Sequence, residues 1–169
     1  MRNDQLVMAI DIGTTSVKCM IINDIGEVKA SASKGYSIMN RFEAWVEQDP
    51  IDWWNATIQS VKSCLKKVHA KKIKAISFSG HMSAPVFLDY KGHPVYPSIL
   101  ISDTRSQKQS DYLYKNFLQN FTESTGNEPI SAFTVTKLLW MKEEEPRIME
   151  KTSKFIFPKD FIRYKITGL

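Results

Sequence analysis

Val7-Met8-Ala9-Ile10-Asp11-Ile12-Gly13-Thr14-Thr15-Ser16-Val17-Lys18 reads as strand, tight turn, strand. The apolar run fits a buried strand that delivers one carboxylate, Asp11, to the lip of a turn. Gly13 can take a positive φ there and lets a ligand approach bare backbone. The hydroxyls of Thr14 and Thr15 and consecutive backbone N–H groups follow at once. Such a set can hold Mg²⁺ through water on Asp11 and cradle a transferring phosphoryl group on the turn. Beyond it, Val17, Cys19 and Ile21 alternate with Lys18, Met20 and Ile22, so the turn joins two strands of one sheet. It is therefore not the strand-to-helix turn of a dinucleotide or Walker-type site. Taken alone, the tripeptide Gly-Thr-Thr reads as an ordinary hairpin turn with a solvated Asp11, because short motifs match by chance. The rest of the chain has to change that balance.

The chain has 169 residues, enough for one domain with a real core or for part of something larger. With 43% hydrophobic and 24% charged residues it has the composition of an ordinary soluble globular protein. No apolar run reaches the length of a membrane span and the N-terminus lacks a signal-type apolar region, so a cytoplasmic location and no membrane partner are expected. The two cysteines, Cys19 in a strand and Cys64 in a helix, have neither metal-ligand spacing nor a disulfide framework and read as buried free thiols. The net charge of +5 comes largely from Lys62, Lys66, Lys67, Lys71, Lys72 and Lys74. Most of these cluster at the C-terminal end of a predicted helix, where cations complement the macrodipole. No aromatic residues interleave with them as a stacking platform requires, so no nucleic-acid partner is expected.

Along the chain, a turn at Asp24-Ile25-Gly26-Glu27 and a third strand over 28–33 complete an antiparallel meander. Residues 34–49 form a connection. A helix over 50–69 follows, with Asp49 as N-cap and Pro50 at its first position, and with Trp53, Trp54, Ala56, Ile58, Val61, Cys64, Leu65 and Val68 at helical spacing. Residues 73–79 are nearly apolar, as a central strand would be. Strands at 86–89 and 94–96 flank a hairpin turn at 90–93, and 98–101 is a further short strand. Helices are predicted over 105–121, 136–144 and 158–166, with a strand at 154–157 before the last. Three strand ends thus adjoin polar clusters: Asp11-Gly13-Thr14, Gly80-His81-Met82-Ser83 and Ser102-Asp103-Arg105. In open sheets ligands collect beyond strand ends, so the order of elements suggests that these clusters line one cleft.

With these motifs in view, the chain resembles the FGGY family of carbohydrate kinases, and its xylulokinases most closely. The segment from Ala9 to Lys18 looks like the family's first phosphate segment. Trp45-Val46-Glu47-Gln48-Asp49-Pro50 with Trp53-Trp54 resembles its W-x-E-Q-D-P stretch. Ser79-Gly80-His81-Met82-Ser83 occupies the place of the sugar-binding segment G-Q-M-H-G, and Ile99 to Arg105 that of I-L-W-N-D-x-R. Thr125-Gly126-Asn127, Thr136-Lys137-Leu138-Leu139-Trp140, Glu145-Pro146 and Pro158-Lys159-Asp160-Phe161 follow in family order, ending at Thr167-Gly168. The resemblance implies an α/β fold: an actin-like, ribonuclease-H-like ATPase domain with a mixed sheet and helices on both faces, here truncated. Residues 1–169 would be an incomplete N-terminal sugar-kinase domain, its C-terminal part and the second domain absent. The aspartate that deprotonates the sugar hydroxyl in the family would lie beyond Leu169, so no catalytic base is assigned here.

The resemblance also implies roles. Asp11 would orient Mg²⁺ and the γ-phosphoryl group of ATP, and Gly13, Thr14 and Thr15 would donate to phosphate oxygens. Lys18 could touch phosphate and is equally well a solvated strand residue. His81, Met82 and Ser83 would contact the sugar, although Ser83 stands where xylulokinases carry histidine, and His81 is equally a satisfied loop residue. Asp103 would bind a sugar hydroxyl or shape the site with Arg105; Ile101 stands where an aromatic residue is usual. The expected activity is ATP-dependent phosphorylation of a ketopentose, with xylulose the leading candidate. A kinase for L-xylulose, gluconate or glycerol, or a sugar-binding piece without chemistry, is the alternative. A domain cut at Leu169 would leave apolar faces uncovered, which favours self-association, a homodimer included.

Overall fold

The computed structural model describes residues 5–169. The elements run β1 (Leu6–Ile12), β2 (Ser16–Asn23), β3 (Val28–Gly35), β4 (Glu47–Gln48), α1 (Pro50–Leu65), a 3₁₀ turn (Ala70–Lys72), β5 (Ile73–Gly80), β6 (Val86–Leu88), β7 (Ser98–Ile99), α2 (Gln107–Thr125), α3 (Thr134–Glu144), α4 (Pro146–Lys151), β8 (Lys154–Ile156) and α5 (Pro158–Thr167). They group into two compact units. The first holds the chain up to Ser37, Pro50–His81 and Phe157–Leu169; the second holds Ile38–Asp49 and Met82–Ile156.

The first unit is built on one mixed sheet in the order β3-β2-β1-β5. β1 and β2 pair antiparallel with Asp11 opposite Lys18, β2 pairs antiparallel with β3, and β1 pairs parallel with β5. Period-two alternation decides which face is covered. Leu6, Met8, Ile10 and Ile12 of β1 and Val17, Cys19 and Ile21 of β2 are all buried. α1 presents Trp53, Ala56 and Cys64, also buried, and α5 contributes Phe161 and Ile162. The Cys64 thiol donates to the Cys19 carbonyl at 3.6 Å, and both thiols are free. Burial, with Cys64 beside it, pushes the Cys19 thiol up to about 12, which keeps it unreactive. On the opposite face Val7, Asp11, Lys18 and Ser77 are exposed, so the expected cover of helices on both faces is met on one face within this unit.

Two expectations change here. β5 is an outer strand of this sheet rather than a central one, and its residues 74–77 are exposed. Lys74, Ser77 and Ser79 interrupt its apolar run, and that interruption is the signal of a strand not buried on both faces. Gly13 does not take a positive φ. It is needed for space instead: a Cβ there would stand 3.2 Å from the Ser16 carbonyl, which accepts from the Gly13 N–H at 3.0 Å across the turn.

Gly80 closes the end of β5 under a similar constraint. A Cβ on it would meet the Lys159 backbone nitrogen at 3.2 Å and the Ile12 carbonyl at 3.3 Å, neither of which can swing away. Gly80→Ala is therefore expected to cost about 1–3 kcal/mol by overpacking, read as a lower urea midpoint with an unchanged slope. An unchanged midpoint would mean that α5 does not press on this strand end.

The second unit has two short ladders, β4 with β7 and β6 with β8, and three helices. β4 lies inside the stretch read as a connection, and α4 was not foreseen; two-residue strands and six-residue helices are too short to carry a period. The hairpin expected at 86–96 closes through the Asp89 N–H on the His93 carbonyl and the Val95 N–H on the Phe87 carbonyl, both at 2.9 Å, around a bridge between Leu88 and Pro94, while the ladder partner of β6 is the distant β8. The turn itself forms as read. The Asp89 carboxylate accepts from the Lys91 and His93 N–H groups at 2.8 Å, and Gly92 takes φ 79°. Phe87, Ile99, Trp140 and Met141 form the core of this unit, with Trp45, Tyr96, Ile148 and Met149 packed against them.

Candidate functional site

In the first unit the parallel pairing of β1 with β5 sets Asp11 opposite Ser79 and Ile12 opposite Gly80, so the C-terminal ends of the two strands lie side by side. The His81 N–H donates to the Ile12 carbonyl at 2.9 Å, which carries the contact one residue past the sheet. The Asp11 and Gly80-His81 strand ends therefore lie side by side within this unit, while Met82, Ser83 and the Ser102–Arg105 cluster belong to the second unit. Asp11 is exposed at the lip, and Thr14 and Thr15 are exposed on the turn. The His81 ring lies edge-on to Trp53, with centroids 5.0 Å apart. That contact packs the imidazole against a fully buried indole.

One residue at this turn escaped the sequence reading. Tyr36 follows β3, its N–H donates to the Thr15 carbonyl at 3.3 Å, and its hydroxyl donates to the Gly13 carbonyl. Burial and the nearby Asp11 charge push its phenol well above the usual tyrosine range, so it stays a donor. The register was the available signal: Ser16 pairs with Gly35, so the next residue of β3 must lie beside the β1–β2 turn. Tyr36→Phe removes one hydrogen bond and is expected to cost about 0.5–1.5 kcal/mol, with faster amide exchange confined to residues 13–16. Unchanged exchange there would show that the phenol only packs.

One exposed carboxylate flanked by hydroxyls is the donor set of a cation that keeps most of its water. Mg²⁺ is bound in that way, through one or two carboxylates and substrate phosphates rather than an all-protein cage. Among the described residues no group of three or more His, Cys, Asp or Glu side chains could hold a metal by itself. Asp11 fits Mg²⁺ on those terms.

The second unit treats its expected site residues differently. The Asp103 side chain is fully buried. Its carboxylate accepts from the Val46 N–H at 2.6 Å, from the Arg105 N–H at 3.0 Å and from the Arg105 guanidinium at 2.6–3.0 Å. Arg105 in turn reaches Glu47 at 2.8 Å and lies over the Trp45 ring, 3.7 Å from its centroid. Burial opposes the guanidinium's charge, but the Asp103 and Glu47 carboxylates outweigh it and hold Arg105 above its ordinary value. The lone pairs of Asp103 are therefore taken up within the protein. Asp103 and Arg105 are thereby joined in one buried cluster at the root of the loop. Glu47, quoted only as part of a motif, is the third member of this cluster and is paired on its other oxygen with Arg41 at 2.6 Å.

Met82 is 71% exposed, whereas the Ser83 residue is buried and takes φ 60°. A non-glycine residue in the left-handed region is strained, and such strain persists where surrounding contacts hold it. Lys137, inside α3, supplies one of them: its ammonium donates to the Ser83 carbonyl at 2.6 Å. Lys18 is exposed on its strand, and His69 and His93 are exposed at a helix end and a turn as read.

Against this geometry stand the likenesses to known proteins. Residues 6–169 match the N-terminal domain of the FGGY family of carbohydrate kinases. The chain is 36% identical over 165 residues to a xylulose kinase from Bacillus subtilis, covering 96% of this chain and 33% of that protein. It superposes on the crystal structure of a xyloylose kinase from Brucella ovis with TM-score 0.91 at 30% identity, covering 96% of this chain and 34% of that one. A gluconate kinase from Lactobacillus acidophilus superposes with TM-score 0.90 at 26% identity, covering 96% of this chain and 33% of that one. The chain thus spans about a third of the length of the relatives it matches. No described helix is long and apolar enough to cross a membrane.

Proposed function

This chain belongs to the FGGY family of carbohydrate kinases, and from that premise we propose that it is the N-terminal part of an ATP-dependent kinase. The γ-phosphoryl group of ATP is transferred to a hydroxyl of a ketopentose, with D-xylulose the first candidate. The observation that carries this reading is the exposed Asp11 carboxylate on a tight glycine turn at the end of β1, beside the end of a parallel neighbour. In this reading Asp11 orients Mg²⁺, which when bound supplies charge neutralisation to the phosphates. Gly13, Thr14 and Thr15 position phosphate oxygens, and Lys18 adds positive charge on the same strand face. Phosphoryl transfer asks mainly for positioning and charge stabilisation of this kind. His81 orders the adjoining strand end, and Met82 and Ser83 present the sugar contacts of the second unit. Asp103 and Arg105 hold their loop in shape. The likeness to a gluconate kinase supports a second reading, in which the acceptor is another polyol or an aldonate.

A thermal-shift panel of D-xylulose, L-xylulose, gluconate and glycerol on this chain tests the sugar assignment. A ligand at a hundredfold its dissociation constant adds about 2.7 kcal/mol. Stabilisation by D-xylulose ahead of the others is expected. Stabilisation by gluconate alone favours the second reading, and no response to any of them counts against Met82 and Ser83 as sugar contacts.

A further inference from the structure

Lys137 belongs to a motif, Thr136-Lys137-Leu138-Leu139-Trp140, that the proposed chemistry leaves without a task. Its side chain is completely buried. Its ammonium donates to three backbone carbonyls, those of Ser83 at 2.6 Å, Leu100 at 2.8 Å and Ala132 at 3.0 Å. Three N–H donors thus meet three neutral acceptors. Burying a charge in this way is expensive, and a methionine or leucine would fill the same volume at lower cost if packing were all that was needed. What only a trivalent donor can do is draw three separate carbonyls to one point.

Those carbonyls lie at the roots of specific loops. Ser83 is the left-handed residue directly after the exposed Met82. Leu100 precedes the exposed Ile101 and Ser102, and its carbonyl also accepts from the Asp103 N–H at 3.1 Å. Ala132 lies just ahead of α3, the helix that carries Lys137 itself. We propose that Lys137 is a positioning residue for sugar recognition: its ammonium fastens the Met82–Ser83 segment to the loop that runs from Leu100 to Asp103, and so presets the loop surface that the acceptor sugar meets. The sugar part of this inference rests on the proposed function; the fastening does not.

Burial brings the Lys137 ammonium down to about 8. The charged groups that face it are Asp103, which favours the protonated form, and Arg105, which opposes it. Losing the proton removes one of the three donors, so the fastening weakens as pH rises through that value.

The test uses the 169-residue chain and its Lys137→Met and Lys137→Gln variants. Carbonyl ¹³C shifts of Ser83, Leu100 and Ala132 are followed by NMR from pH 6.5 to 9.5. In the unaltered chain the three are expected to titrate together near pH 8, and in Lys137→Met none should titrate there. Amide exchange at residues 82–84, 100–103 and 131–133 is expected to quicken at least tenfold in Lys137→Met, with β1 and β2 unchanged. Should that variant fail to fold, Lys137→Gln, which keeps two donors, and the titration of the unaltered chain decide. Independent or absent titration of the three carbonyls, or unchanged exchange in the variant, overturns the fastening. D-xylulose affinity is expected to fall about tenfold between pH 7 and pH 9 in the unaltered chain, and to be weak and flat with pH in the variant. Affinity with the same pH profile in both overturns the link to sugar recognition. If the unaltered chain binds no sugar, the proposed substrate fails while the carbonyl titration still decides the role of Lys137.

Discussion

Arg105→Met lowers the unfolding free energy of this chain by about 3–5 kcal/mol, because it leaves two carboxylates buried without their cation. The Glu47 and Asp103 side chains are both fully buried, and the Arg105 side chain is 1% exposed. Solvent cannot take over from the guanidinium, and the neighbouring Arg41 is on the exposed side, paired with Glu47. The substitution also removes the cation from the Trp45 face and from Trp140, 5.0 Å from its ring centroid. Guanidinium-chloride unfolding followed by tryptophan fluorescence reads the loss. The same experiment separates the two roles foreseen for Asp103. As a scaffold residue, Asp103→Asn is also strongly destabilising; as an open sugar contact it would leave stability within about 0.5 kcal/mol of the original and impair only binding. A loss below 1 kcal/mol for Arg105→Met would mean that water reaches the cluster.

Asp11→Asn has the opposite profile. The side chain is exposed at the end of β1, so stability is expected to move by no more than about 0.5 kcal/mol. Activity is expected to fall by about 10²–10³-fold, the usual cost of removing one group aimed at developing charge in a transition state. Asparagine keeps the shape and loses the charge on which a Mg²⁺–phosphate group depends. The assay needs the rest of a kinase. Joining residues 1–169 to the C-terminal two thirds of the Bacillus subtilis xylulose kinase supplies it, since this chain matches the remaining third of that protein. A folded Asp11→Asn chimera that keeps activity within tenfold of the parent would remove Asp11 from the chemistry.

What was legible in the sequence was whatever carries a period or a fixed spacing. The Val7–Lys18 alternation marked β1, the turn and β2 with their inward faces, and Pro50 with its helical apolar stripe marked α1. The FGGY motifs, in their order and spacing, carry the likeness to the family whose N-terminal domain residues 6–169 match. Less legible was everything that depends on which distant groups meet. Asp103 in a polar cluster at a strand end has the pattern of a ligand residue, and only the fold shows Arg105 and the Val46 N–H occupying it. Lys137 sits in a helix where a lysine is ordinarily solvated, and nothing in its neighbours announces three carbonyls arriving from residues 83, 100 and 132. Ser83 shows the same limit: its left-handed backbone is a property of the loop it closes, whereas Gly13, the residue type that invites such a conformation, needs only room.

The central claim is that the turn after β1 serves phosphoryl transfer to a sugar. It is tested most directly by incubating the purified, folded chimera with [γ-³²P]ATP, Mg²⁺ and D-xylulose and measuring label in the sugar phosphate. Labelled ketopentose phosphate that requires both Mg²⁺ and Asp11 is the predicted result. A chimera that is folded and binds the ketose, yet transfers no label to it or to any other polyol of the panel, would contradict the account.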